Sequence, residues 1–401
     1  MGSYFKFWLR MIQYALVGSK KFYLWVLFLM CFIVPGIIAY GFQATNGLIM
    51  TNMSDQVSWG AYIANFTFLV GVAAAAVLLV VPAYVFHHKP TKDIVLLGEL
   101  LAVSAIVMCL LFIVADLGRP DRFLHILPIV GRLNFPHSVL AWDVIVLNGY
   151  LLLNMHISGY LLFKKYKNET PTKNLYLPIV FISIFWALSI HTVTAFLYSG
   201  LGGRPFWNTA ILAPRFLISA FAGGPAILTI AFRLVSKHTA IKVSEDVFSL
   251  LKKIVTITLP VNLFFLFCEL FTEFYTDSQH VASAKYLFFG LDGAHMLQPY
   301  IWGAIILNIL ATIIFVTPKL RDRNEIFIAG SVMTILGIWT EKGMGLIIPG
   351  FIPSPLGDIV EYTPSLVEFF VCAGIWATGA LVYTLLAKVA TGVMSGELKQ
   401  E

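Results

Sequence analysis

Ten apolar stretches, each long enough to cross a lipid bilayer, take up almost all of this 401-residue chain. They lie at residues 22–44, 57–86, 94–115, 138–163, 176–199, 214–236, 251–275, 294–316, 326–349 and 366–390. A hydrocarbon core of about 30 Å needs about 20 helical residues to span it. Lipid offers the backbone no hydrogen-bond partner, so each stretch must be a helix. The expected fold is all-α: a polytopic membrane protein with ten transmembrane helices. A chain that is 59% hydrophobic and 12% charged has the composition this demands.

Charge sets the orientation. Ten crossings put both termini on one side. All but seven of the 27 lysines and arginines share that side; the exceptions are Arg119, Arg122, Arg132, Arg204, Arg215, Lys285 and Lys342. The positive-inside rule then makes both termini cytoplasmic. The net charge of +6 reflects this topology and gives no reason to expect nucleic acid as a partner. Residues 1–21 read as an amphipathic interfacial helix, with Tyr4, Phe5, Trp8, Leu9 and Ile12 alongside Lys6 and Arg10. They do not resemble a cleaved leader. Cys31, Cys109, Cys268 and Cys372 are scattered and form no CxxC pair. That argues against an iron–sulfur cluster or covalent haem in this chain, and no metal site is expected.

Ionisable residues within a bilayer are costly, so each is a functional candidate. Asp116, Asp143, His191, Glu269, Glu273, Glu341, Lys342 and Glu368 all fall in the outer half. Glu99 and His156 fall in the inner half. Glu341 and Lys342, adjacent in sequence, read as an internal pair.

The chain also repeats itself. Trp142-Asp143 through Asn148 recurs as Trp302-Gly303 through Asn308, and His191 aligns near Glu341. Gly71 to Ala76 has a small-residue counterpart in Phe221 to Pro225. The second to fifth and sixth to ninth spans thus read as two four-helix bundles of one orientation. The expected organisation is an N-terminal segment (1–21), a flanking helix and outer loop (22–56), the first bundle (57–200), the second bundle (201–350), and an outer loop with a second flanking helix and tail (351–401). The copies differ at Asp143/Gly303 and His191/Glu341, which suggests chemistry in the first bundle and proton conduction in the second.

The outer loop 116–137 is the most distinctive connection. It carries Asp116-Leu-Gly-Arg119-Pro-Asp121-Arg122, then Arg132 and Pro136-His-Ser138, stiffened by Pro120, Pro128 and Pro136. Its arginines could meet an acidic partner surface or cap Asp116 and Asp121. With Ser138-x-x-x-Trp142-Asp143, it resembles the NrfD/PsrC family of polysulfide reductase-like membrane subunits. Ser58-Trp59-Gly60, His191-Thr-Val-Thr-Ala195, Arg204-x-Phe-Trp207, Ala213-Pro-Arg215-Phe and the Pro353 to Pro364 segment resemble its ten-helix branch. The start at Ala15 to Lys20 is most similar to the DsrP branch, the membrane subunits associated with dissimilatory sulfite reductase. The resemblance covers roughly residues 11–395.

That resemblance implies a quinone-reactive subunit in a prokaryotic plasma membrane. It implies exchange of electrons between menaquinone and an extracytoplasmic ferredoxin-like iron–sulfur subunit, within a DsrMKJOP-like complex. Such subunits hold no haem, metal or iron–sulfur cluster of their own. Quinone reduction takes two electrons and two protons, so the site needs hydrogen-bond donors and a titratable relay. Asp143 is expected about 8 Å deep and His191 about 12 Å deep, close enough in depth to share a pocket as catalytic groups. Tyr62 and Asn65 are expected to join them, with Asp116 and Arg119 at the mouth. Glu99, Asn154 and His156 would lead protons from inside, and Glu269, Glu273 and Glu341 would serve the second bundle. The alternatives are a haem b anchor, which needs paired histidines, and a secondary transporter, which favours paired broken helices.

Overall fold

The computed structural model describes residues 2–127, 129–277 and 281–400. Pro128 therefore lies outside the described residues. Ten described helices are long and apolar enough to cross a membrane: Lys20–Asn46, Ala61–Val85, Val95–Asp116, Val139–Tyr166, Lys173–Ser199, Leu212–His238, Glu245–Thr276, Gln298–Val316, Asn324–Phe351 and Leu366–Ser395. They match the ten expected spans in order and number. The chain is a multi-pass, all-helical membrane protein.

The helices start where serine can satisfy orphan N–H groups. Ser138 and Ser244 accept from backbone amides at the heads of the fourth and seventh spans. Ser365 and Glu368 form a reciprocal capping box at the head of the tenth. Residues 2–16 form a helix whose Phe7 and Met11 are buried against the protein, with Phe5, Leu9 and Ile12 exposed. This two-sided helix fits the interfacial reading.

The spans pack in two matching rings. The second span touches the third and fifth, and the fourth touches the third and fifth. The sixth touches the seventh and ninth, and the eighth touches the seventh and ninth. Between rings, the second span meets the sixth, the fifth meets the sixth, and the ninth meets the second. Exchanging the rings maps these contacts onto themselves, as a pseudo-two-fold arrangement requires. The first span packs along the tenth, which also touches the third.

The small-residue counterparts of the sequence meet each other at this axis. Gly71 faces Ala220, and a Cβ on Gly224 would overlap Ala75. Two backbones can approach this closely only where side chains are absent or minimal. Equivalent tryptophans also behave alike: Trp142 donates its indole N–H to the Pro136 carbonyl and Trp302 to that of Phe288, each at 2.8 Å.

Two spans are irregular. The second is interrupted at Ala75–Ala76 and ends in a π-turn containing Pro82. Proline lacks the N–H that a regular turn needs, and the helix widens around it. The ninth breaks at Gly343, directly after Glu341 and Lys342. A Cβ there would press on the carbonyls of Trp339 and Ala64. These breaks fall on non-equivalent spans of the two rings, unlike the paired breaks of many transporters.

Candidate functional site

A band of buried polar groups crosses both rings in one half of the membrane-spanning helices. In the first ring, Asp143 is buried and its Oδ1 accepts from the Thr194 hydroxyl at 2.9 Å. Thr194 stands one turn beyond His191 on the same face of the fifth span, which projects both toward the ring interior. His191 packs over Gly71, and its Nδ1 is buried without a protein partner. Nearby, the Tyr198 and Thr67 hydroxyls share a hydrogen bond. Tyr198 lies within electrostatic reach of both Asp143 and Asp116.

His191 and Lys342 line one cavity at the seam between the rings, with Thr67, Gly71, Phe216 and Gly224. It offers about 10 Å3, near the lower limit for a single water. Asp143 is not among the residues that line it.

The Glu341–Lys342 pair does not form. Consecutive helical residues point about 100° apart, so one enters the second ring and the other meets the seam. Lys342 turns to the seam between the rings, where its buried Nζ has no hydrogen-bond partner and sits 5.4 Å from the ring centroid of Phe216 on the sixth span. Glu341 turns into the second ring. There Arg215 pairs with Glu269 and, at 3.0 Å, with Glu341. Asn262 and Asn308 donate to Glu341 Oε2 at 3.1 and 2.9 Å. Glu273 lies one turn beyond Glu269, half-buried. Sequence reasoning missed the role of Arg215 by counting it with the outer loop charges, although the Ala213-Pro-Arg215-Phe motif had marked it.

Tyr62 and Asn65 also sit elsewhere than expected. Tyr62 donates to Gln43 of the first span. Asn65 Oδ1 accepts the indole N–H groups of Trp339 and Trp376, at 3.0 and 2.9 Å. Its amide donates to Ala61. Asn65 is therefore a fully engaged tie between three spans. Tyr62 instead lies near Asp116, whose buried Oδ1 has no protein partner, and near Glu368. Glu368 accepts from Tyr362 and from the Ser365 and Asn52 amides. Burial first, and Glu368 second, push the Tyr362 hydroxyl pKa above its usual range.

Arg119 does not reach Asp116. It forms an exposed two-pronged pair with Asp121, at 3.0 and 2.9 Å. The guanidinium holds the Asp121 carboxyl below the usual carboxylate range. Around this pair, Phe123, Leu124, Leu127, Ile129 and Val130 are exposed. Just inside, Trp59, Tyr198, Trp207 and Phe351 pack ring against ring. The Trp207 indole donates to Leu346 beyond the break in the ninth span.

In the inner half, Glu99 accepts from Ser158 at 3.1 Å, and Asn154 donates to Tyr150. His156 does not join them. It is exposed on the opposite face of the fourth span, two residues from Asn154. Among the described residues His191 is the only buried histidine; His295, like His156, is exposed. Neither can stand opposite His191 as the second axial ligand of an enclosed haem.

The sequence pattern of the NrfD polysulphide reductase family matches residues 49–353. Three curated relatives align over nearly the whole chain. One is an Hdr-like menaquinol oxidoreductase integral membrane subunit of Archaeoglobus fulgidus, 24% identical over 90% of this chain and 92% of its own. Another is a menaquinone reductase integral membrane subunit of Nitratidesulfovibrio vulgaris, 24% identical over 91% of this chain and 90% of its own. The third is a selenate reductase subunit of Mesobacillus selenatarsenatis, 23% identical over 92% of this chain and 94% of its own.

Proposed function

This chain belongs to the NrfD polysulphide reductase family, and from that premise we propose that it is the quinone-interacting membrane subunit of a respiratory oxidoreductase complex. The observation that carries this reading is the buried Asp143–Thr194 hydrogen bond, with buried His191 one turn away and its Nδ1 without a hydrogen-bond partner among the described residues. Two relatives named for menaquinol or menaquinone chemistry support the choice of carrier.

A quinone supplies two-electron, two-proton chemistry, and the protein must supply the protons. Asp143 is suited to hold one, because Thr194 orients it without fixing its charge. His191 is suited to pass one on through its free Nδ1. Tyr62 and Asp116 gather at the outer end of the same ring, and Tyr198 lies between them and Asp143. The ring of the carrier would bind at this outer end. Glu99, Ser158 and Asn154 supply the inner leg of a proton route, and Glu269 and Glu341 a second branch.

With no redox centre expected in this chain, electrons would come from a partner. The exposed Arg119, Arg122 and apolar residues of loop 117–137 support docking of an extracytoplasmic iron–sulfur subunit. Membership of the DsrP branch, with a sulfur-compound complex around it, is the finer form of this reading. The lysine and arginine distribution supports cytoplasmic termini in a prokaryotic plasma membrane.

The test is quinone turnover by the assembled complex. Asp143→Asn should slow it about 10²- to 10⁴-fold, the usual weight of a general acid or base. His191→Ala should slow it too, and both complexes should purify intact. Wild-type turnover in both variants would remove these residues from the mechanism.

A further inference from the structure

A second cavity lies outside the polar band. It encloses about 140 Å3 between the first, third and tenth spans. Ile33, Ile37 and Tyr40 line it at helical spacing on the first span, with Leu111 and Ala115 on the third and Ile375 on the tenth. Ile37 and Leu111 are partly exposed on the membrane-facing surface, so the cleft opens sideways toward hydrocarbon. Apolar cavities of about 150 Å3 stay dry and take a benzene-sized guest. A branched isoprenoid unit has comparable bulk. The family match at residues 49–353 leaves out the first and tenth spans, which build most of this cleft.

Its outer end is polar. Past Tyr40, Gln43 donates to the Ala115 carbonyl and accepts from Tyr62. The next residue, Asp116, presents a buried and unpartnered Oδ1 and lies within electrostatic reach of Glu368. This end discriminates between membrane amphiphiles. A phospholipid would bring its phosphate against two carboxyl groups. A neutral hydroxylated ring would instead meet acceptors it can donate to.

We propose that this cleft seats the first isoprenoid unit of a long-tailed quinol whose ring hydroxyl donates to Asp116, and that the carrier enters sideways between the first, third and tenth spans. The proposal rests on the quinone reading above and names its route and tail requirement.

The test uses the whole complex in lipid nanodiscs, with tail-less menadiol and isoprenoid-tailed menaquinol-4 as probes. Ile37→Trp and Leu111→Trp fill the cleft from its exposed rim, where folding should tolerate the change. The KM for menaquinol-4 should rise about tenfold, the equivalent of roughly 1.4 kcal/mol, while menadiol turnover stays unchanged. Unchanged KM for menaquinol-4 in both variants would overturn the cleft assignment alone. A wild-type complex that turns over neither probe would overturn the quinone reading beneath it. A diazirine on the first isoprenoid unit should crosslink to the first or third span at the cleft. Crosslinking there by a diazirine phospholipid, with the quinol tail labelling elsewhere, would assign the cleft to structural lipid and sink the proposal.

Discussion

The two rings share a packing plan and differ in how they neutralise buried charge. In the first, Asp143 meets a threonine hydroxyl and His191 has a free ring nitrogen. In the second, Glu341 and Glu269 are both clamped by Arg215, and two asparagines add to Glu341. A buried acid with neutral partners can gain or lose a proton without breaking an ion pair. An acid held by a fixed guanidinium is part of an ion pair, and breaking that pair strands a buried cation. The same scaffold thus holds one ring whose buried acid has a neutral partner and one whose buried acids are ion-paired. Lys342 lines the seam cavity together with His191, a buried cation with no ion pair among the described residues.

Substitutions can break this contrast, the largest effect first. Arg215→Gln leaves Glu269 and Glu341 buried without their cation, and should lower stability by about 3–5 kcal/mol. Thermal unfolding in detergent would measure it; a loss below about 1 kcal/mol would mean that the second ring is not held by this cluster. Thr194→Val removes the only side-chain donor to Asp143 among the described residues and should cost less, about 1–3 kcal/mol. Its turnover should fall as well, whereas a change in stability alone would make Thr194 purely structural. Glu99→Gln should slow quinone turnover about tenfold if the inner leg feeds the first ring. His156→Ala, on the exposed face, should leave turnover as it was.

The smallest effect belongs to Arg119→Ala. Its pair with Asp121 is exposed on both sides, and solvent screens it. The melting temperature should not move. The sign of any residue of effect is fixed: the Asp121 carboxyl is depressed in the folded state, so the pair helps above the ordinary carboxylate range and fades as pH falls through the lowered value. Partner docking measured against ionic strength should change instead, since three arginines lie in this loop.

Several features were legible in the chain before any coordinates. Span number and order followed from hydropathy, and the burial of Asp143, His191, Glu99 and Glu341 followed from their position in apolar stretches. The Gly71–Ala76 and Phe221–Pro225 segments were matched as repeats, yet only packing revealed that they touch one another. His156 shows the limit of depth as a guide. It shares a helix and a level with Asn154, but two residues along a helix turn a side chain by about 200°. Arg215 shows the reverse error, a residue counted only among the outer-side charges although it stands in the first turn of the sixth span and pairs with two buried carboxylates. Tyr62 was placed with Asp143 on depth, while its hydroxyl turns to Gln43 on the first span.

The sequence by itself determined the class, the ten helices and the set of costly groups kept in the membrane. Each follows from transfer of single side chains and backbone units out of water, which depends on composition along the chain. Tertiary structure alone decided who faces whom: Glu341 to Arg215, Lys342 to the seam cavity with His191, Tyr62 to Gln43. Those choices depend on helix rotation and on how near two backbones can come, and small residues on partner spans far apart in sequence set both.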